Sequence, residues 1–289
     1  MSKKMKRFLS CTLAACGIVA CAGTLTACET NNPEVEMKIE FNGETYTLDY
    51  KLYRKITPST VEHFLWLVDG GFYNDTVIHD YDADTLKMYG GLYDYDENET
   101  DGDYYKEDKS YAAFCETYKD KFPASVFLDK GETPIYTVYG EFKNNQFNVS
   151  SGLLKEDFGT LSMYYHAKDT DSRVYVKRAD GNGYSDRDYA QNSATSMFYM
   201  TLSTSAKTQN DYCTFATLTG DSKEVLEDFK QAIADYIEEN YDEDESRFVT
   251  ATEMYIDEED EIENNQDKKT TFDIPNEAII IKSITVKKY

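Results

Sequence analysis

Apolar and polar residues alternate through Met37–Phe41 and again through Thr45–Tyr53, on either side of Asn42-Gly43. Period-two alternation around an Asn-Gly pair predicts a β-hairpin. The period then changes. Val61, Phe64, Leu65 and Val68 fall at i, i+3, i+4 and i+7 and predict a helix of about three turns. Thr57 suits its N-cap, Pro58 its first helical position and Gly70 its stop. Short β-like runs follow at Val126–Phe127, Ile135–Tyr139, Gly159–Tyr165, Val174–Val176, Met197–Leu202 and Tyr212–Leu218. Asp221-Ser222-Lys223-Glu224 has the form of a capping box and opens a second helix, with Val225, Phe229, Ala232 and Tyr236 along one face. Ala278–Val286 reads as a final strand.

Two stretches break the pattern. Tyr93–Lys121 is rich in Tyr, Asp, Glu and Lys and poor in aliphatics, which predicts an inserted surface loop with a short helix around Tyr111–Tyr118. Asp235–Glu263 carries 14 acidic residues against the single base Arg247 and predicts a solvated excursion. Many short strands with only two helices cannot alternate as a doubly wound parallel sheet. An antiparallel sheet or barrel with two helices packed on it fits.

The length of 289 residues suits one large domain or two small ones. With 40% apolar and 14% aromatic residues the chain has the material for a core, which excludes wholesale disorder. The formal charge of −24 disfavours nucleic acid and anionic lipid as electrostatic partners. The first residues are the exception. Lys3, Lys4, Lys6 and Arg7 precede a small-residue apolar stretch from Phe8 to about Ala22, which ends in Leu25-Thr26-Ala27-Cys28. That order is a secretory signal, too short to span a bilayer. The last four residues resemble a bacterial lipobox, which implies that residues 1–27 are removed and that Cys28 carries lipid. Residues 28–36 then form a polar tether. The expected location is extracytoplasmic, with the membrane reached through the lipid anchor only. Loss of residues 1–27 takes away four basic and no acidic residues, so the net charge of −24 becomes −28. Cys115 and Cys213 alone remain in the folded part, too few for a disulfide scaffold or a zinc site, and are expected as unpaired thiols.

Four segments in order resemble the cyclophilin-type peptidyl-prolyl isomerases. They are Thr57–Tyr81 (TPSTVEHFLWLVDGGFYNDTVIHDY), Tyr89-Gly90-Gly91, Gly140-Glu141-Phe142 with Phe158-Gly159-Thr160-Leu161-Ser162-Met163, and Asn192–Met200 (NSATSMFYM). Cys213–Leu218, the second helix and the terminal strand continue the likeness, from about Met37 to Val286. The resemblance implies a mainly β, closed eight-stranded antiparallel barrel with two capping helices, occupying residues 37–289 with acidic and Tyr-rich insertions at about 93–121 and 238–272. It implies a packed interior and a substrate groove on the outer face, and a monomer that binds extended or proline-containing polypeptide segments.

Rotation about an X-Pro bond is slow because amide resonance imposes a barrier of about 18–20 kcal/mol. Lowering it needs no metal or cofactor, and none is expected. It needs an apolar seat for the ring and a donor aimed at the prolyl amide. The resemblance assigns the donor to an Arg directly after the His of its "FHR" motif. Here the positions read Ile78-His79-Asp80, so an acid stands where the donor belongs. Tyr89 and Met197 occupy the two Gln positions, Tyr199 the pocket Phe, and Tyr164 and Tyr165 the small residues after "SM". The groove candidates are therefore His79, Asp80, Leu86, Tyr89, Tyr164, Tyr165, Met197, Tyr199 and Tyr212. Lys87 and Arg173 are the nearest bases to take over the donor role. Two readings stay open: a folding catalyst for exported proteins, and a catalytically impaired binding protein on the same barrel. His63 reads as structural. Asp80, Asp82 and Asp84 alternate as Ca²⁺ ligands do, yet solvated acid is the commoner outcome. The run from Asp94 starts like a Ca²⁺ loop but has Glu99 where Gly is required and Tyr105 where Glu is required.

Overall fold

The computed structural model describes residues 30–98, 109–122, 125–147, 152–166, 172–178, 180–208, 210–244, 247–255 and 269–289. Cys28, the signal stretch, Glu99 and Tyr105 lie outside them. The described elements are β1 (Glu34–Phe41), β2 (Glu44–Leu52), α1 (Pro58–Asp69), β3 (Thr76–Asp82), β4 (Lys87–Asp94), α2 (Tyr111–Tyr118), β5 (Val126–Phe127), β6 (Pro134–Ile135), β7 (Lys155–Glu156), β8 (Leu161–Met163), β9 (Arg173–Lys177), β10 (Tyr184–Asp188), β11 (Phe198–Thr201), β12 (Lys207–Thr208), β13 (Thr214–Leu218), α3 (Ser222–Tyr241), β14 (Val249–Tyr255), β15 (Lys269–Pro275) and β16 (Ile279–Lys288).

Eight strands close into an antiparallel barrel in the order β1-β16-β3-β4-β11-β8-β13-β2. The predicted hairpin is β1–β2, turning on Asn42 and Gly43, both at positive φ. β1 starts at Glu34, paired with Lys51 on one side and Lys288 on the other, so residues 34–36 are strand rather than tether. The barrel interior and one face of each long helix make a single core. Phe64 of α1 meets Phe198 and Phe215, and Phe229 of α3 meets Phe41 and Tyr46. The predicted stripe of α1 is buried in full. That of α3 is rotated by about one position: Leu226, Phe229, Ile233 and Ile237 are buried, while Val225, Ala232 and Tyr236 lie at the margin.

Both predicted caps are replaced by tertiary contacts. Thr57 makes no side-chain cap bond. The buried carboxylate of Glu141 instead accepts the Ser59 and Thr60 N–H groups at 3.0 and 2.9 Å, placing negative charge on the positive end of α1. Asp221 does not cap α3; Ser222 Oγ accepts the Asp49 N–H at 2.7 Å, which ties the helix start to β2. Gly70 keeps a helical φ of −76°, and Gly71 takes the left-handed conformation at +70°. A Cβ on Gly70 would come within 2.2 Å of the Phe114 ring, so that glycine serves packing.

The insertions are more ordered than their composition predicts. In the first, β4 runs on to Asp94 and α2 forms over the predicted residues, with Phe114 against Trp66 and Phe72. In the second, α3 continues to Tyr241, and β14 and β15 pair from Val249↔Pro275 to Tyr255↔Lys269. The solvated excursion is thus partly a hairpin whose Phe272 and Ile274 are buried against the outside of the barrel. Of the predicted run Ile135–Tyr139 only Ile135 is strand, as the end of β6, and Val138 makes an isolated bridge to Ala194. Cys115 and Cys213 are buried and unpaired.

Replacing Glu141 by Ala leaves the buried Thr60 N–H and the partly buried Ser59 N–H at the start of α1 without their acceptor. This costs about 1–3 kcal/mol in denaturant unfolding, and Glu141→Gln costs less because it keeps an acceptor.

Candidate functional site

Closure fills the barrel with side chains, so chemistry has to sit on the outer face. Along β4, Met88 points into the core while Lys87 and Tyr89 do not; along β11, Phe198 and Met200 point in while Tyr199 does not. Register then aligns the outward residues. Asp80 of β3 pairs with Tyr89, Tyr89 with Tyr199, Tyr199 with Ser162 of β8, and Ser162 with Thr214 of β13. A row of five residues thus crosses five strands. A register shift between Ile78 and Asp80 gives the row its first member, since Ile78 stays in the core while Asp80 turns outward. The second glycine after Tyr89 is required by packing. A Cβ on Gly91, whose φ is +91°, would meet the Ser196 carbonyl oxygen at 2.5 Å.

The middle of the row is aromatic. The Tyr199 ring is 5.4 Å from Tyr89 and 5.6 Å from Tyr212, and Tyr164 is 6.1 Å from Tyr89. Tyr212 is 37% exposed and forms the open rim, while Tyr199 is buried beneath it. Its hydroxyl donates to Glu156 Oε2 at 2.8 Å, and burial raises its pKa. One cation enters this cluster. Lys87 Nζ lies 4.2 Å from the Tyr199 ring centroid, 5.0 Å from that of Tyr212 and 3.7 Å from Glu156 Oε2. Burial pulls the ammonium pKa down, and Glu156, then Asp82, oppose that pull. Arg173 does not contribute: Asp186 and Asp188 hold its guanidinium across β9–β10.

The β14–β15 hairpin covers the other end. The Asp273 N–H donates to Asp80 Oδ1 at 3.0 Å, and the Phe272 ring packs edge-on against His79 at 4.8 Å. Met197 joins Val77, Tyr93, Phe272 and Ile274 in a separate apolar cluster beneath the hairpin. Burial raises the Asp80 pKa from 3.8 to about 7; the Asp273 N–H opposes this, and the charges of Asp273 and Asp82 add to it. His79 is fully buried with both ring nitrogens unpartnered, and desolvation lowers its pKa to about 3. It is neutral at any physiological pH.

The nine sequence candidates therefore separate. Asp80, Tyr89, Tyr164, Tyr199 and Tyr212 gather on the outer face. His79 and Met197 lie under the hairpin. Leu86 packs on the main core from the β3–β4 turn, where it adopts a φ of +54°. Tyr165 is in the core against Phe142 at 5.1 Å, because alternation past Ser162 sends every second residue inward. The Asp82 carboxylate is used locally, accepting the Thr85 N–H and hydroxyl at 2.8 and 2.5 Å. His63 is structural as expected, its Nε2–H donating to the Thr195 carbonyl at 2.8 Å. Glu156 and the Phe272–Asp273 contact had no signal in the sequence, since each lies far along the chain in a segment without a motif.

A family model described as cyclophilin type peptidyl-prolyl cis-trans isomerase/CLD matches residues 36–248. Two crystal structures of a cyclophilin type peptidyl-prolyl cis-trans isomerase from Cryptosporidium parvum are similar at 16% and 17% identity. One was determined in the presence of the dipeptide Ala-Pro. Each alignment covers 89% of this chain and 99% of the other, at a TM-score of 0.42. No curated protein matches the sequence.

The raised Asp80 pKa has a definite sign in stability. The unfolded carboxyl ionises near 3.9 and the folded one near 7, so the folded state is favoured below the lower value and loses that advantage as pH rises through the upper one. Asp80→Asn keeps an acceptor for Asp273 and removes the buried charge. Its denaturation midpoint equals that of the unsubstituted protein at pH 3 and exceeds it at pH 8.

Proposed function

The chain belongs to the cyclophilin-type peptidyl-prolyl cis-trans isomerases, and from that premise we propose a lipid-anchored, extracytoplasmic member that binds extended, proline-containing segments of exported polypeptides and turns over their X-Pro bonds. The observation that carries this reading is the outer-face row, in which Tyr89 and Tyr199 stand side by side next to an ammonium group. The Tyr199 ring is the seat for the pyrrolidine, and Tyr212 is its open wall. Tyrosine offers a large apolar face with a polar tip, which suits a chain whose backbone amides stay hydrogen-bonded while its proline is buried. The domain begins with β1 at Glu34 behind a short tether, and Cys28 holds it at the membrane. Several acyl chains on one Cys anchor firmly, because each buried methylene adds about 0.8 kcal/mol where a single chain is marginal.

One observation favours the second reading, a binding protein without turnover. Asp80 stands at the donor position and is committed to the Asp273 N–H. Loss of one preorganised donor costs about 10²–10³ in rate, so turnover here is expected to be slow by family standards. The commitment also means that Asp80→Arg frees the hairpin instead of restoring a donor.

Magnetisation-exchange NMR on a short X-Pro peptide tests the proposal. Cis–trans exchange faster than the uncatalysed rate at micromolar protein is expected, with saturable shifts at Tyr89, Tyr199 and Tyr212. Saturable shifts without acceleration establish the binding-only reading, and no shifts at all refute both. For the anchor, the unsubstituted protein is expected to partition into detergent on phase separation and Cys28→Ala to stay in the aqueous phase.

A further inference from the structure

The Lys87 side chain leaves β4 two residues before Tyr89 and ends on the ring proposed above as the proline seat. Its Nζ is 4.2 Å from the Tyr199 centroid and 5.0 Å from that of Tyr212. A pyrrolidine stacked on Tyr199 needs the same space. We propose that Lys87 is a tethered occupant of this seat, displaced by an incoming proline, and that the displaced ammonium then donates to the X-Pro amide in place of the guanidinium whose position Asp80 holds. The inference rests on the groove reading above and assigns a residue within it.

Three features support exchange over a fixed structural role. The seat holds the ammonium by one cation–π face, a second ring at longer range and a contact to Glu156 that, at 3.7 Å, is longer than an ordinary hydrogen bond. The side chain keeps 12% of its surface exposed, beside the 37% exposed Tyr212, so a path to solvent is open on that side. Its four-carbon stem rotates freely once released, and the strand fixes where the head can go. Glu156 stays behind as the seat's back wall, held by the Tyr199 hydroxyl, and keeps the displaced cation within electrostatic reach. The nearest other base by electrostatic contact is Lys207, opposite Glu156 on the β7–β12 ladder. Its residue is exposed, and its charge disfavours a second cation in the seat.

No bond is made or broken in this step. The amide nitrogen lone pair accepts a hydrogen bond from Nζ, leaves conjugation with the carbonyl while the bond rotates, and returns.

Peptide affinity and turnover move in opposite directions if this is right. Lys87→Met removes the competitor and the donor together. It is expected to bind an X-Pro peptide about two- to fivefold tighter, the weight of an exposed cation–π contact, and to lose at least about tenfold in turnover by exchange NMR. Lys87→Arg keeps a donor and retains turnover. Glu156→Gln leaves Lys87 in place with a weaker hold and tightens peptide binding as well, which keeps the test usable where Lys87→Met fails to fold. Unchanged or weaker binding in both variants, or unchanged turnover in Lys87→Met, overturns the inference while leaving the groove intact. Absence of peptide binding in the unsubstituted protein and every variant removes the groove reading itself.

Discussion

Closing a sheet on itself removes its edges and divides every strand into a wet side and a dry side. That constraint organises this molecule. Eight strands and one face each of α1 and α3 share one core, which is filled by side chains such as Phe198, Phe215, Met88 and Phe229. Side chains pack the interior, and the residues that alternate outward from β3, β4, β11, β8 and β13 form a continuous surface that hydrogen-bonded register holds in place. Asp80, Tyr89, Tyr199, Ser162 and Thr214 occupy one line across it because cross-strand pairing puts them there.

On that line two charges of opposite sign are handled differently. Asp80 is drawn under the β14–β15 hairpin, where one backbone N–H compensates part of its lost hydration and the pKa still climbs to about 7. The hairpin thereby makes use of the acid as an acceptor for its own backbone. Lys87 has the converse arrangement. Aromatic faces and a buried carboxylate keep its head at the groove, so a cation sits beside Tyr199 although no arginine does. The two charges thus stand on neighbouring strands of the outer face, the acid on β3 and the base on β4.

The insertions are part of this arrangement. Phe272 and Ile274 bury Met197, Val77 and Tyr93, all of which would otherwise be apolar surface on the outer wall. His79 is left without a partner for either nitrogen under the same cover, and it remains neutral because desolvation alone outweighs the gain from protonation. A hairpin that shields apolar residues and an acid can dock by burial, with one backbone hydrogen bond to fix its register.

Patterning alone determined the first hairpin, α1, the start of α3 and α2 within an otherwise polar stretch, because each is set by contacts between residues close in sequence; the last strand was legible from its unbroken apolar run, although its partners β1 and β3 lie far away in the chain. The ordered motifs also determined the family, and with it the closed barrel and the outward aromatic positions Tyr89, Tyr164, Tyr199 and Tyr212. Tertiary structure decided what depends on partners distant in the chain. It decided that Glu141, not Thr57, caps α1, and that the acidic segment contributes a packed hairpin, because β14 and β15 become legible as strands only when each has the other to pair with. It put Tyr165 in the core and left Tyr164 outside, through the parity of a short strand whose register no sequence window contains. Above all it placed the Lys87 ammonium over Tyr199, since a ring on β11, an acid on β7 and a base on β4 come within reach of one another only after the sheet has closed.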